Sequence, residues 1–434
     1  MTPSRVPLSP EAQLLLLTAA VSPSDASLRH ALSGGIDWEI LSALARHEKA
    51  TPVVLRQLGR VGAGAENSQY EELRQLATIL AMEMLQLEQL LYETMDLLAQ
   101  HEIEAVLLKG AGLAYTAYSS FADRPMGDLD VLVRPQDAGR AWTLLQERGW
   151  TPRRKDGDPA GYAAHHHLAP LCRESERFRL EIHTEVLPGE HPFRFSTDAL
   201  WLGAQSITVN GRVMTVPNPL HQLWHACVHF AWSHGMQWGA WRTLRDSAAI
   251  IQRGKFDWTD FVGLARETRA ATCCFWTLRL TQRLTGAAVP DDVLNSLRPP
   301  YPEFIIERLE RHFISGLFPS EDRCPSVWLT RRLWEAGVSP RWCRHGAARP
   351  WQVSKRWLVA SGRATSEQPG GRAVNEWFRR IRAGVVYLLR LTRFPSQTQP
   401  TSGRPHDRTQ RQARHIHGVH RRGDQGSSVV RSRG

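Results

Sequence analysis

The sequence has few cysteines, no long apolar run and no internal repeat. Its six cysteines include no Cys-x-x-Cys pair, which argues against a zinc cluster and favours a reducing compartment with thiols packed as small apolar groups. No stretch reaches the ~18 apolar residues of a membrane span, and the first ten residues lack the apolar core of a secretion signal. We therefore expect a cytoplasmic protein that does not enter a membrane.

The formal charge of +11 is concentrated at one end of the chain. Residues 395–434 hold eight Arg and two Asp, a net charge of +6, which leaves only +5 for the rest of the chain. This segment is rich in Ser, Gly, Gln and Arg and has no aromatic residue, so we expect a disordered basic tail and no nucleic-acid partner. A basic nucleic-acid-binding protein remains an alternative, with an affinity that falls steeply with salt and depends on the tail.

Helical periodicity dominates the beginning of the chain and returns in its second half. Residues 11–60 show short amphipathic helices, one of them capped by Asp37, and residues 69–100 form one long amphipathic helix. The pattern resumes over 219–285, which is rich in Trp and Leu, and a last helix is predicted at 383–391. These segments favour helical regions on both sides of a central unit.

Short apolar runs between residues 101 and 217 indicate strands. Residues 178–183 alternate apolar and polar side chains, which is typical of a strand with one buried face. The predicted elements are strands at 105–108, 129–133 and 178–183, helices at 111–118 and 137–149, and a hairpin over 207–216 that turns at Asn210-Gly211.

The predicted fold class is α+β, a mixed sheet with flanking helices, a helical N-terminal lead-in and a helical C-terminal subdomain. A chain of 434 residues is long enough for two or three such units. The predicted regions are a helical region at 1–100, an α/β core at 101–217, a helical subdomain at 218–300, a poorly defined, partly helical region at 301–394 and the tail at 395–434.

Asp128 and Asp130 carry the strongest chemical signal. They enter the apolar strand at 129–133, and the two-residue period of a strand places both carboxylates on one face. Two adjacent anions repel each other, and a hard divalent cation such as Mg²⁺ or Mn²⁺ relieves the repulsion by binding their oxygens together with substrate phosphates. Upstream, Lys109-Gly110 closes a strand before a helix and offers backbone N–H groups and an ammonium to phosphate oxygens.

A third acid, Glu181, lies on the strand at 178–183. Arg179 and His183 share its face, so His183 has two interpretations: it orients Glu181 or contacts a phosphate, or it makes a structural hydrogen bond.

Three segments together resemble the uncharacterised nucleotidyltransferase family of the polymerase β superfamily: Leu108-Lys109-Gly110, Arg124 to Pro135, and Leu180 to His183. The likeness spans roughly residues 30–285. It implies transfer of a nucleoside monophosphate from an NTP to an acceptor hydroxyl with Mg²⁺ or Mn²⁺ as cofactor and release of pyrophosphate. The acceptor class stays open among a small molecule, a sugar, a peptide and a protein.

The resemblance also implies roles for residues. The residues that match the family's metal-binding acids are Asp128, Asp130 and Glu181, with Glu181 also helping to deprotonate the attacking oxygen. Lys109, Gly110 and Arg124 would hold phosphates. Ala111 stands where the superfamily's turn usually has Ser or Gly, which keeps open a non-catalytic module that binds a nucleotide or a protein on the same fold.

Several histidines have competing interpretations. The i, i+4, i+8 spacing of His221, His225 and His229 suits zinc, but interleaved Trp and Phe favour histidines in or beside a core. The run 165–167 contacts substrate from a loop or is simply solvated. Asp246 contacts substrate or, as we prefer, anchors a helix.

Overall fold

The computed structural model describes residues 8–63, 68–153, 162, 165–173, 177–189, 191–319, 323–339 and 372–392. The tail predicted at 395–434 and much of the region at 301–394 lie outside these residues. Among the described helices, none has the length and apolar character that a membrane crossing requires.

Five helices open the chain. They are α1 Pro10–Ala19, α2 Asp25–Ser33, α3 Trp38–His47, α4 Thr51–Arg60 and α5 Ser68–Gln100. The predicted cap is confirmed, because the Asp37 carboxylate accepts hydrogen bonds from the backbone N–H groups of Glu39 and Ile40. The long helix predicted at 69–100 is α5, which begins one residue earlier.

A seven-stranded mixed sheet follows. Its elements are β1 Ala105–Leu107, α6 Lys109–Thr116, β2 Asp128–Val133, α7 Pro135–Glu147, β3 Thr151–Pro152, β4 Leu171–Arg173, β5 Phe178–His183, α8 Thr197–Leu202, β6 Gln205–Val209 and β7 Arg212–Val216. The strand order is β3-β4-β5-β2-β1-β7-β6. The central pair β2 and β5 is parallel, whereas β1 and β2 are antiparallel. The predicted α+β class is confirmed.

Local chemistry explains most boundaries of this unit. The predicted hairpin is confirmed as β6–β7, and both turn residues have the positive φ that Asn-Gly turns favour, 49° at Asn210 and 78° at Gly211. The helix predicted at 137–149 begins at Pro135, because proline is well suited to the first helical position. The helix predicted from Ala111 begins at Lys109, so Lys109 and Gly110 lie inside its first turn.

The remaining helices form most of the second half of the chain. They are α9 Pro219–Val228, α10 Ala240–Arg253, α11 Trp258–Glu267, α12 Ala271–Thr285, α13 Asp291–Leu297, α14 Glu303–Gly316, α15 Val327–Gly337 and α16 Arg372–Thr392. A π-helical turn, His229–Ser233, follows α9. The helix predicted at 383–391 is the end of the longer α16.

The N-terminal and C-terminal helices share one apolar core. Leu15 of α1 and Trp241 of α10 are both fully buried, and the Trp241 indole N–H donates to the Leu15 carbonyl at 3.0 Å. A second core lies against the sheet, where α5 contributes Leu87 and Leu91. Because α5 also places Leu73 in the first core, this one helix joins the two apolar interiors.

The contact between α6 and β1 leaves no room for a side chain at Gly112. A Cβ there would lie 2.6 Å from the Leu107 carbonyl oxygen, whereas a Cβ at Gly139 of α7 would meet nothing within 4 Å. We expect Gly112→Ala to destabilise the protein by about 1–3 kcal/mol, since backbone must shift to admit the methyl group. Gly139→Ala should stabilise it by about 0.5–1 kcal/mol. Chemical unfolding of both variants tests the pair, and equal stabilities would contradict the close packing of α6 on β1.

Candidate active site

The register of the two central strands brings two acids side by side. In the parallel pair β2–β5, Asp130 is aligned with Glu181 and Asp128 with Arg179. Alternation along each strand then puts these four side chains on one face, while Leu129 and its neighbours are buried on the other. The sequence predicted that Asp128 and Asp130 share one face of their strand and that Glu181 and His183 share one face of theirs. The register shows that these faces of β2 and β5 lie on the same side of the sheet.

Asp130 is the centre of a compact charged cluster. Its Oδ1 accepts hydrogen bonds from Lys109 Nζ at 2.6 Å and from His183 Nε2 at 2.9 Å. The same His183 nitrogen lies 3.6 Å from Glu181 Oε2. One possible donor atom from each of Asp130, Glu181 and His183 lies within 4.8 Å of the others, which is close enough for one cation to meet all three.

The charges of this cluster support each other. Burial disfavours the Asp130 carboxylate, but Lys109 and His183 outweigh that effect and hold its pKa well below the usual range. Burial also disfavours charged His183, and the hydrogen bonds to Asp130 and Glu181 raise its pKa above the usual value. The cluster therefore keeps its carboxylates ionised at neutral pH and surrounds them with positive charge.

Asp128 lies at the mouth of β2, outside that group of three. Its Oδ2 accepts from an Arg179 guanidinium nitrogen at 3.3 Å, and both side chains are partly exposed. The three predicted acids therefore lie on one face of the sheet. Asp130 and Glu181 are direct neighbours across β2 and β5, and Asp128 lies two residues before Asp130 on β2.

Lys109 occupies an unusual backbone position. It is the first residue of α6, with φ of 43°, a left-handed conformation that a side chain with a Cβ rarely adopts. Helix α6 has no side-chain cap, so N–H groups of its first turn are directed away from the helix beside Gly110. Such strain is common at functional sites, and the Lys109 ammonium contacts Asp130 from this position.

Arg124, predicted to hold phosphate, is paired inside the protein. Its guanidinium donates two hydrogen bonds of 2.8 Å to the two carboxylate oxygens of Asp246, and the Tyr118 hydroxyl donates to the same carboxylate at 2.5 Å. All three side chains are buried. Asp246 thus has the anchoring position that we preferred, since it ties α10 to the segment before β2.

A cavity of about 340 Å³ lies next to these residues. Its polar lining includes Lys109, Gly110, Arg124, Asp128, Asp130 and Asp246, together with side chains that sequence analysis did not assign. The unassigned charged ones are Lys49, Arg179 and Arg242. Lys49 and Arg242 come from helical segments far apart in the chain, so no local pattern identified them.

The histidines of α9 and the first residue of the π-helical turn, His229, also line this cavity. Burial lowers the pKa of His225 to about 3 and that of His229 well below its usual value, so both rings are neutral at physiological pH. The spacing on which the zinc interpretation relied stays helical through His229, where the π-helical turn begins. Within the described residues, no metal-capable cluster contains His221, His225 or His229, and the interpretation of histidines beside a core fits better.

The histidine run 165–167 lies close to His183. The rings of His166 and His183 are 5.2 Å apart, and an isolated bridge joins His167 to His183. Burial lowers the pKa of His166 to about 2, which keeps this ring neutral. The loop therefore packs against the end of β5 near the acids, whereas the sequence favoured a solvated loop.

Glu48 is a buried acid that sequence analysis did not single out. Its carboxylate accepts from the backbone N–H of Trp241 at 3.0 Å, yet burial raises its pKa to about 7. Because this value lies above the 4.5 of a free glutamate, folding favours the protonated form. The resulting stability is fully present below pH 4.5 and is lost as the pH rises to about 7.

We expect Glu48→Gln to be more stable than the wild type by about 3 kcal/mol at pH 8, with the difference shrinking toward pH 4.5. The amide keeps an acceptor for Trp241 without a buried charge. Urea unfolding across this pH range measures the effect, and exposed Glu267 provides the control Glu267→Gln. Parallel pH profiles for Glu48→Gln and wild type would contradict the buried, uncharged state of Glu48.

The donor set fits a divalent cation. Asp130, Glu181 and His183 each offer one ligand atom within 4.8 Å of the others, and Asp128 and Asp130 line the adjoining cavity, which has room for further oxygen ligands from a substrate. The cations beside them, Lys109 and Arg179, supply positive charge where phosphates would lie. The arrangement suits chemistry on a polyphosphate.

Comparison with known proteins agrees with this geometry. A family model described as uncharacterised nucleotidyltransferase matches residues 34–286, more than half of the chain. Searches of the curated proteins and of the solved structures find no match. The matched range runs from the start of α3 to the end of α12 and includes every strand of the sheet and the whole lining of the cavity. The chain therefore belongs to the uncharacterised nucleotidyltransferase family, and this membership supports a general role in nucleotidyl transfer.

Proposed function

We propose that this protein transfers a nucleoside monophosphate from a metal-bound NTP to an acceptor hydroxyl. The observation that carries the proposal is the alignment of Asp130 with Glu181 across two parallel strands, at the edge of a cavity lined with cations. Asp128, on the same strand face, is the third acid of the site.

Asp128, Asp130 and Glu181 would hold Mg²⁺ or Mn²⁺ through their oxygens. The bound cation supplies Lewis acidity that offsets negative charge on the transferred phosphoryl group. Lys109 adds a fixed ammonium beside Asp130, and Gly110 allows backbone N–H groups of α6 to approach phosphate oxygens. Arg124 would hold this side of the cavity in place through its hydrogen bond to Asp246.

The proton of the acceptor hydroxyl needs a base. Glu181 is ionised, half-buried and close to His183, so its carboxylate takes the proton as the acceptor oxygen bonds to the α-phosphorus. The bond between that phosphorus and the bridging oxygen to the β-phosphate breaks, and pyrophosphate leaves with the electron pair. His183 donates its Nε2–H to Asp130 and keeps the two acids oriented.

The experiment is an assay of pyrophosphate release from each of four NTPs with Mg²⁺ or Mn²⁺ and a panel of acceptors. Label in the α-phosphate should move to the acceptor, and a chelator should stop the transfer. Release of inorganic phosphate without transfer of the α-label would contradict the proposal.

A non-catalytic nucleotide-binding module is the second candidate. It is favoured by Ala111, which is buried within α6 and offers no hydroxyl to a phosphate. In that case calorimetry would detect NTP binding while no acceptor in the panel supports pyrophosphate release.

A further inference from the structure

The cavity has two more cations than carboxylates. The cations are Lys49, Lys109, Arg124, Arg179 and Arg242, and the carboxylates are Asp128, Asp130 and Asp246. Each carboxylate is paired with one of these five cations, in the pairs Lys109–Asp130, Arg179–Asp128 and Arg124–Asp246. Lys49 and Arg242 are left over, and within the described parts of the chain neither side chain makes a hydrogen bond or an ion pair.

These two cations lie beside the mouth of β2. Lys49 Nζ is 3.0 Å from where a Cβ on Gly127 would be, and Gly127 directly precedes Asp128. Burial, followed by the nearby charge of Arg242, lowers the pKa of Lys49 to about 8. Burial and the charge of Arg124 likewise lower the pKa of Arg242. The cations therefore face one recess and destabilise each other there.

Both residues also occupy positions that the backbone disfavours. Lys49 follows the end of α3 with φ of 55°, where helices usually have glycine. Arg242 lies in the first turn of α10, where the helix dipole disfavours positive charge. An anion bound between the two side chains would offset the repulsion between their charges.

We propose that Lys49 and Arg242 form a clamp for the polyphosphate of the nucleotide, an inference that rests on the proposed nucleotidyl transfer. The clamp comes from α3–α4 and α10, on either side of the α/β core in sequence. Its place beside Asp128 sets the polyphosphate next to the acids, while Lys109 and Arg124 stay engaged with carboxylates of the protein.

The test is calorimetry with inorganic tripolyphosphate and the full-length protein, with and without Mg²⁺. Lys49→Gly and Arg242→Gln should each weaken binding by about 10- to 100-fold, as expected for loss of a charge-assisted contact. Lys49→Gly also relieves the left-handed backbone, so thermal unfolding should show no loss of stability. The matched control is Arg269→Gly, since Arg269 has φ of 64° after α11 and lies away from the cavity.

The outcomes separate this inference from the proposed reaction. Tripolyphosphate binding that depends on both cations supports the clamp even when no NTP is turned over. Turnover that persists in both variants with an unchanged KM overturns the clamp and leaves the reaction intact. Displacement of tripolyphosphate by Mg–NTP assigns the clamp to the nucleotide, whereas simultaneous binding of the two overturns that assignment in favour of an anionic acceptor. Wild type that does not bind tripolyphosphate also overturns it.

Discussion

Asp128→Asn and Asp130→Asn together should reduce nucleotidyl transfer by about 1,000-fold or more. Each substitution keeps the shape of the side chain and removes the charge that a divalent cation requires, which is worth several kcal/mol of transition-state stabilisation. The single change at Asp130 should have the larger effect, because Asp130 is buried and contacts Lys109 and His183, whereas Asp128 is half exposed. Pyrophosphate release at saturating NTP measures the loss.

Two further readouts distinguish catalysis from folding. Calorimetry with Mn²⁺ should show weaker metal binding in the double variant. Its unfolding midpoint should fall because Asp130 pairs with Lys109 and His183, so circular dichroism below that midpoint checks that the variant is folded in the assay. Asp198→Asn is a suitable control, since Asp198 is exposed on α8 and lies outside the cavity lining. Full activity in the double variant would remove these acids from the proposed site.

Arg124→Met should destabilise the protein by about 3–5 kcal/mol, the largest stability effect that we expect. The change leaves the buried Asp246 carboxylate without the guanidinium that donates two hydrogen bonds to it, and an uncompensated buried charge is costly. Adding Asp246→Asn to this variant should recover part of the loss, because the charge is then removed while Tyr118 keeps an acceptor.

Chemical unfolding of the two single variants and the double variant gives the coupling energy. Arg74→Met is the control, since Arg74 makes an exposed ion pair with Glu71 that should contribute little. If Arg124→Met kept full stability and lost only NTP affinity, Arg124 would be a phosphate ligand, as the family resemblance implies, and Asp246 would not need it.

The strands and most helices were predictable because their signals are local. Residues 178–183 alternate along β5 as predicted, and Asn210-Gly211 encodes its own turn. Strands β3 and β4 were missed because two or three residues carry no measurable period. Helices α14 and α15 lie in the region that was predicted only as partly helical, and their bounds were not predicted although Ile306, Leu309 and Phe313 of α14 have the spacing of an apolar helix face.

The site was predictable only where its parts share a strand. The sequence placed Asp128 and Asp130 on one face, but it held no information on the parallel register that brings Glu181 to Asp130. The partner of Arg124 is 122 positions away, so sequence analysis treated this arginine as available for phosphate. Glu48 and Trp241 are 193 positions apart, so no local sequence pattern indicates the hydrogen bond between them.

The shared helical core has a consequence for synthesis of the protein. The apolar face of α1, including Leu15, is completed by Trp241 of α10, which leaves the ribosome more than two hundred residues later. During that interval the first helices expose surface that is later buried, and such surface promotes aggregation of nascent chains. The acids of β2 are likewise made long before Arg242 reaches the cavity, so a chain released early would carry the carboxylates without their full pocket. We therefore expect translation pauses before α10 to lower the yield of folded protein more than pauses after α12.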